Sequence, residues 1–410
     1  MNIVNRLNEV IRQPLNKTEL YIPENDLSSD NPEVSIVVPA LNEEITIREF
    51  VAWCWEGLEK GGIRGEVIIV DSSNDETPNI ALNCGARVLR TPKRGLGQAY
   101  IDAIPFIRGP FIVMGDCDLT YDFREIKFFV ESYRAGNEYV MGSRFLGTIE
   151  AGAMPKLHRY FGTPLTTWLL NKIYRTKYSD IHCGMRGITK IGLNKIQLTS
   201  SGWEYASEMV LKAARTGLKI SEVPVKFYKD RDGRESHLKR GGFLTPWIAG
   251  WINLKVMLVY SPDSFLLKPG SVIFLSGILL SILSLMGTIS VGPIGFGLYT
   301  TMLALTLSVL GYALIQAGIL ARCRHKLRSG IEELVIELLT YNRGMLTSFV
   351  LFSAGFIIDF WFMRGYLASE FQVVSFSKSA IFGLLLIILS IQTFSFTLLL
   401  DLERRMQKIA

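Results

Sequence analysis

The sequence predicts an α/β domain with a mostly parallel sheet, followed by four membrane-spanning helices. Three observations carry this. Short β-branched runs alternate with longer helical patterns between residues 35 and 240. The three clearest runs each end in polar or acidic residues. Farther on, no Asp, Glu, Lys, Arg or His occurs between Lys268 and Arg322, a gap of 53 residues.

A chain of 410 residues has room for two or three domains. Residues 1–32 read as an N-terminal extension. They contain no apolar core suited to a signal peptide, so the part that follows is expected to stay on the side where it is made. The segments "VSIVVPA" (34–40), "EVIIVD" (66–71) and "FIVMGD" (111–116) read as buried strands. Between them, "EEITIREFVAWCWEGLEKG" and "ETPNIALNCG" carry apolar residues at helical spacing. Strand–helix alternation predicts a parallel sheet, and such sheets bind ligands at the carboxyl ends of their strands. The endings "PALNEE", "DSSND" and "DCD" are therefore expected on one rim of a domain spanning 33–240.

Residues 241–268 are apolar and Trp-rich but interrupted by Lys255, Pro262 and Asp263. They read as interfacial helices lying against headgroups, or as an ordinary packed helix pair. A single helix covering the uncharged gap would run about 80 Å, against a bilayer core of about 30 Å. "GPIGFG" at 292–297 breaks it into two spans, and apolar stretches near 345–363 and 379–400 add two more, making residues 269–410 a four-span region. The loop 322–344 carries five Lys/Arg, whereas the outer connections carry none and two. That bias places the loop, both termini and the N-terminal domain in the cytosol of a plasma or inner membrane. Asp359, near an outer end, is expected to pair with Arg364 or to snorkel. The net charge of +6 suits anionic lipid or phosphate substrates and requires no nucleic acid. Five cysteines without a CxxC pair predict reduced, mostly buried thiols.

"MGDCDLTYD" (114–122) holds three aspartates within seven positions. Like charges this close require compensation. Asp116 and Asp118, two apart on an extended segment, can point the same way. Two hard oxygen ligands suit Mg²⁺ or Mn²⁺ shared with substrate phosphates, and such an ion neutralises a diphosphate leaving group. Taken alone, the pattern is equally a solvated acidic loop. "KRGLGQA" (93–99) fits either a phosphate-approaching loop or a plain turn.

Taken together, the motifs "SIVVPALNEE", "VIIVDSSNDET", "DCDLTYD", "MGSRF", "SDIHCGMRG", "WEYASEM" and "DRDGRESHL" make residues 33–240 resemble the family 2 glycosyltransferases of the GT-A fold. The likeness is greatest to polyprenyl-phosphate hexosyltransferases of the dolichyl-phosphate mannose or glucose synthase kind. The resemblance implies that Pro39, Asn42, Glu43 and Asp71 line the nucleotide-sugar pocket, and that Asp116 and Asp118 hold the metal and diphosphate. It assigns Arg144, Arg159, Arg231 and Ser236 to an acceptor phosphate, with Arg144 and Arg231 also catalytic. Asp180, Glu204 and Glu208 would orient these arginines or touch sugar hydroxyls. Three departures stand out: "DSSND" is one residue short of the family pattern, leaving the role of Asp75 open; Thr120 stands where some relatives have a metal-contacting Gln; and His237 replaces a common Lys.

The function this implies is metal-dependent, inverting transfer of one hexose, from UDP-glucose by preference or GDP-mannose, to a polyprenyl phosphate at the cytosolic leaflet. A homo-oligomer is compatible with it. A phosphate oxygen is already nucleophilic and needs no strong base. The alternatives are a lipid with a hydroxyl acceptor, for which Glu204 or Asp180 would have to act as base, and a non-catalytic membrane module. The processive motif Q-x-x-R-W is absent from the 410 residues, so a single sugar is expected.

Overall fold

The computed structural model describes residues 7–13, 18–231, 255, 258, 261–286, 290–291, 294–295, 297–324, 339–369 and 377–409. The chain divides into two compact units, Met1–Met257 and Leu258–Ala410.

The first unit is built on a mixed sheet. In chain order its strands are β1 (Leu7–Gln13), β2 (Thr18–Pro23), β3 (Val34–Ala40), β4 (Gly65–Asp71), β5 (Arg87–Arg90), β6 (Phe111–Met114), β7 (Tyr139–Ile149), β8 (Arg186–Thr189) and β9 (Ile220–Phe227). In space they run β1-β2-β5-β4-β3-β6-β8-β7-β9. The expected parallel order holds in the centre, where β5, β4, β3 and β6 are parallel neighbours. Antiparallel pairs flank it: β2 on β5, and β8 between β6 and β7. Residues 18–23, within the N-terminal extension, thus belong to the sheet.

The central strands form because they are apolar on both faces, as a sheet covered by helices demands; β4 and β6 are buried throughout. Helix α1 (Ile47–Lys60) buries Ile47, Phe50, Val51, Cys54 and Leu58, a stripe at helical spacing. Helices α2 (Thr77–Asn83), α3 (Leu96–Ala103), α4 (Lys127–Arg134), α5 (Thr163–Tyr174), α6 (Lys190–Ile196) and α7 (Tyr205–Arg215) complete the unit. At the amino ends of the strands a fully buried Glu66 is satisfied by Ser35 Oγ (2.5 Å), Arg108 Nε (2.7 Å) and Arg87 Nη1 (3.4 Å). A buried carboxylate tolerates its desolvation only when paired in this way. It ties β3, β4 and β5 at the edge opposite the rim.

In the second unit four helices, Asp263–Leu285, Leu298–Cys323, Tyr341–Ala368 and Lys378–Met406, are long and apolar enough to cross a membrane. The first begins at Asp263, so the last residues of the expected interfacial segment 241–268 are part of a span; most of the rest of that segment lies outside the described residues. Asp263 pairs with a buried Arg322. Close packing comes from small residues, as is usual without a hydrophobic driving force between helices. A side chain at Gly277 or Gly311 would strike Ser308 or the backbone of Phe274. Asp359 and Arg364 do not pair: Asp359 lies against Gly383, and Arg364 covers the Trp361 ring at 5.5 Å. Five positions apart on a helix, the two side chains leave different faces.

Candidate active site

The ends of β3 and β4 are stitched together by short polar side chains. Asn42 adopts a left-handed φ of 55°, a conformation Asn tolerates because its side chain bonds nearby backbone. Its Oδ1 accepts from Asn74 N at 3.0 Å, and its own N–H donates to Ser73 Oγ at 2.7 Å. Glu43 N donates to Thr77 Oγ1 (2.9 Å), while the buried Glu43 carboxylate accepts from Thr46 Oγ1 (3.1 Å). Asp75, whose role the shortened loop left open, accepts from Thr77 N (3.0 Å) and Thr77 Oγ1 (2.6 Å) and so holds the start of α2.

Asp71, at the end of β4, is fully buried. Its Oδ2 accepts from Ser73 N at 3.2 Å and from the guanidinium of Arg90, its register partner on β5. Its Oδ1 is buried without a hydrogen-bond partner among the described residues. A buried carboxylate oxygen costs free energy until something donates to it, so this atom marks a place where a ligand N–H or O–H is wanted.

The three aspartates of the segment 114–122 separate into different roles. Asp122 is buried, accepts from Arg124 N (3.1 Å) and Tyr228 OH (2.9 Å), and forms an ion pair with Arg124 at 2.7 Å. It caps a short helical turn. Asp118 Oδ1 accepts from Thr120 N (3.0 Å) and Thr120 Oγ1 (2.5 Å), closing a turn around Leu119, whose φ is 63°. A bulky residue with positive φ is uncommon and is held here by its surroundings. Asp116 and Asp118 remain half-exposed. Cys117, between them, donates to Pro39 O at 3.4 Å and fastens this loop to β3.

Asp116 lies close to three buried phenols. Burial, with a further contribution from the negative charge of Asp116, raises the pKa of Tyr100, Tyr121 and Tyr205, so all three keep their protons. Gly184 presses on the same carboxylate: a Cβ there would fall 2.6 Å from Asp116 Oδ2. The turn carrying Gly184 is held from below by Arg186, which is fully buried and donates to Cys183 O (2.5 Å) and Ala206 O (2.8 Å).

The expected acceptor arginines are not gathered on one partner. Arg144 is buried and forked on Asp180, with Nε at 2.7 Å and Nη2 at 2.9 Å. Burial alone would lower its pKa, but the hydrogen bond and charge of Asp180 oppose burial, and the net shift is upward. Arg159 lies over the Tyr160 ring at 5.6 Å. Arg231 is half-exposed and paired with Glu49. Ser236 and His237 lie outside the described residues. Glu208 is buried and accepts from Thr199 Oγ1 (2.8 Å) and Ser200 N (2.8 Å) while pairing with Lys212. The loop it pins takes the first amides of α3, since Gly97 N donates to Gly202 O (3.3 Å) and Gln98 N to Ser201 O (3.0 Å). "KRGLGQA" is thus a packed turn. His182 is half-buried, with a ring nitrogen 2.8 Å from Thr166 Oγ1, and desolvation pushes its imidazole down to about 4; burial pushes the Cys183 thiol up to about 12.

Sequence reasoning did not single out Arg90, Arg186 or the three tyrosines. Arg90 was signalled by "RVLR", a short strand with a cation at its end; Arg186 stood unread inside "SDIHCGMRG".

The fold and rim define a sugar-nucleotide-transferase type of domain in a chain with four apolar helices, and comparison with known proteins agrees. The family described as "Glycosyl transferase family 2" matches residues 35–196, and the "Glycosyltransferase family 2 C-terminal transmembrane region" matches 322–403. The low-salt glycan biosynthesis hexosyltransferase Agl6 of Haloferax volcanii is 37% identical over 296 residues, covering 71% of this chain and 70% of that protein. The dolichyl-phosphate hexose transferase of the same organism is 31% identical over 201 residues, 49% of this chain and 85% of its own. Among solved structures, glucosyl-3-phosphoglycerate synthase from Mycobacterium tuberculosis superposes with a TM-score of 0.44 at 20% identity, over 58% of this chain and 83% of that one. The chain belongs to glycosyltransferase family 2. It is a multi-pass membrane glycosyltransferase with an N-terminal catalytic domain.

Proposed function

We propose that the enzyme transfers one hexose from a nucleoside diphosphate sugar to a polyprenyl phosphate at the cytosolic leaflet, with inversion at the anomeric carbon. The observation that carries this reading is the rim itself: two half-exposed carboxylates, Asp116 and Asp118, on the same strand-end rim as the unsatisfied buried oxygen of Asp71, in a chain bearing four apolar helices. The names of the Haloferax relatives support a hexose donor and a dolichyl-phosphate acceptor.

In this reading Asp71 Oδ1 accepts an N–H from the base, a donor that uracil and guanine both carry; Pro39, Asn42 and Glu43 form the wall beside it, and UDP-glucose is preferred to GDP-mannose only by the resemblance to glucosyl-type relatives. Asp116 and Asp118 fit Mg²⁺ or Mn²⁺. Both are oxygen ligands on one loop, and the absence of any side chain at Gly184 leaves Asp116 room. Among the described residues no third His, Cys, Asp or Glu joins them, so phosphate and water would complete the shell. A bound ion would neutralise the departing diphosphate.

A phosphate oxygen of the acceptor attacks the anomeric carbon as the bond to the diphosphate breaks. No protein base is consumed. Of the two acids that a hydroxyl acceptor would call upon, Glu204 or Asp180, Asp180 is already committed to Arg144. That argues for phosphate. Arg159 and Arg231 are the cations this reading assigns to it, and Arg144 holds the turn at Asp180.

The test is the purified full chain with labelled UDP-glucose, GDP-mannose and a polyprenyl phosphate, read by mass spectrometry of the lipid. A single hexose increment that vanishes with chelator and returns with Mg²⁺ or Mn²⁺ is expected. Full turnover in excess chelator would overturn the metal assignment, and a ladder of increments would make the enzyme a polymer synthase.

A further inference from the structure

Between Ala151 and Ser179 the chain carries five Lys/Arg and no Asp or Glu. It folds as a widened turn at His158–Gly162 leading into α5. The polarity of this element is inverted. The face toward the protein is Thr163, Thr167 and Leu170, while Leu157, Tyr160, Phe161, Leu165 and Trp168 are exposed, Tyr160 by 71%. These five follow helical spacing, so they form one stripe. A soluble surface rarely displays a contiguous aromatic and aliphatic patch of this kind. The cations flank it: Lys172 lies over the Trp168 ring at 5.0 Å, and Arg159 over Tyr160.

We infer that this stripe is a membrane-docking face that seats the catalytic unit on an anionic bilayer surface. Aromatic rings with adjacent Lys and Arg are the composition that partitions to the headgroup level, and the net positive charge is complementary to anionic lipid. The bilayer is always within reach, because the same chain carries four spans. The inference extends the proposed function by placing Arg159, an acceptor-phosphate candidate, on the docked element.

The experiment uses the full chain in vesicles without any substrate, so failure of the acceptor assignment leaves its result unchanged. Cys84 is the only cysteine of the five that is not buried; in a Cys84→Ser background, bimane is attached at Phe161→Cys or Trp168→Cys. Leu27→Cys, comparably exposed but in the acidic segment 24–30, is the control. Nitroxide on the upper acyl chain should quench bimane at 161 and 168 at least about twofold more than at 27. Replacing phosphatidylglycerol by phosphatidylcholine, or introducing Lys172→Glu with Lys177→Glu, should reduce that excess. Equal nitroxide quenching at all three sites, or shielding of 161 and 168 from both nitroxide and aqueous iodide by a protein segment, would overturn the docking face. Quenching indifferent to lipid charge would overturn its preference for anionic lipid.

Discussion

On the proposed donor side Asp71, Asp116 and Asp118 arrive at the ends of β4 and β6, parallel strands on either side of β3, whereas the proposed acceptor residues Arg144, Arg159 and Arg231 arrive from three unrelated places. One stands on the long strand β7 and is consumed by Asp180; one lies on an exposed helical turn; one follows β9 and meets Glu49. Parallel strands fix where their ends lie, so the carboxylates share a rim whatever their side chains do. The arginines have no such common scaffold. Their use depends on which counter-ion each finds, and in two of the three cases an acid of this chain is already there. On the proposed function the donor site is therefore preorganised by topology, and the acceptor side is organised by charge pairing.

The largest effect should come from breaking the donor rim. Asp118→Asn should lower kcat/KM by about 100- to 1000-fold, the scale set by removing one group that stabilises developing charge, while thermal stability and membrane insertion stay unchanged. A variant with near-normal turnover would move the diphosphate site elsewhere.

Next in size is the buried pair. Asp180→Asn leaves Arg144 as an uncompensated buried cation, and breaking such a pair costs about 3–5 kcal/mol. A drop in the unfolding midpoint, with an unchanged KM for the nucleotide sugar in the fraction that remains folded, is expected from differential scanning fluorimetry and initial rates. If stability holds and only the acceptor KM rises, Arg144 belongs to the acceptor after all, and the contrast between the two sides narrows.

Arg231→Ala should act more mildly. Its partner Glu49 is solvent-exposed, so the pair adds only about 0–1 kcal/mol to stability. The KM for polyprenyl phosphate should rise by about tenfold, the worth of one charge-assisted hydrogen bond, with nucleotide affinity unchanged. A loss confined to nucleotide binding would place Arg231 on the donor side.

This contrast also explains what could be read in advance. "VSIVVPA", "EVIIVD" and "FIVMGD" disclose strands because buried parallel strands are apolar throughout, and their polar endings disclose a rim. The uncharged gap after Lys268 discloses the spans for the same reason: burial in lipid leaves a composition. Pairings across long sequence separation leave none. Arg144 and Asp180 are 36 positions apart, and either could equally have been a ligand. Arg90 meets Asp71 only because β5 lies beside β4, a register that neither strand announces. The flanking antiparallel strands are hidden differently: β7 contains "MGSRF" and β8 begins at the end of "SDIHCGMRG", segments whose polar residues mask the apolar run of a buried strand.

The smallest effect tests whether topology alone makes the donor rim. Strand ends set the positions of Asp116 and Asp118, but a carboxylate on a loop still rotates unless something holds it. Thr120 Oγ1 donates to Asp118 Oδ1 at 2.5 Å, and the main-chain bond from Thr120 N at 3.0 Å remains if the hydroxyl is removed. Thr120→Val keeps the shape and deletes one donor, so the turn around Leu119 should persist and stability should change little. What is lost is orientation. One neutral hydrogen bond is worth about 0.5–1.5 kcal/mol, so kcat/KM should fall by only about two- to tenfold, with the metal concentration for half-maximal rate shifting upward. A fall as deep as that of Asp118→Asn would mean that side-chain bonding, rather than strand geometry, preorganises the rim, and the two sides of the site would then be built on the same principle.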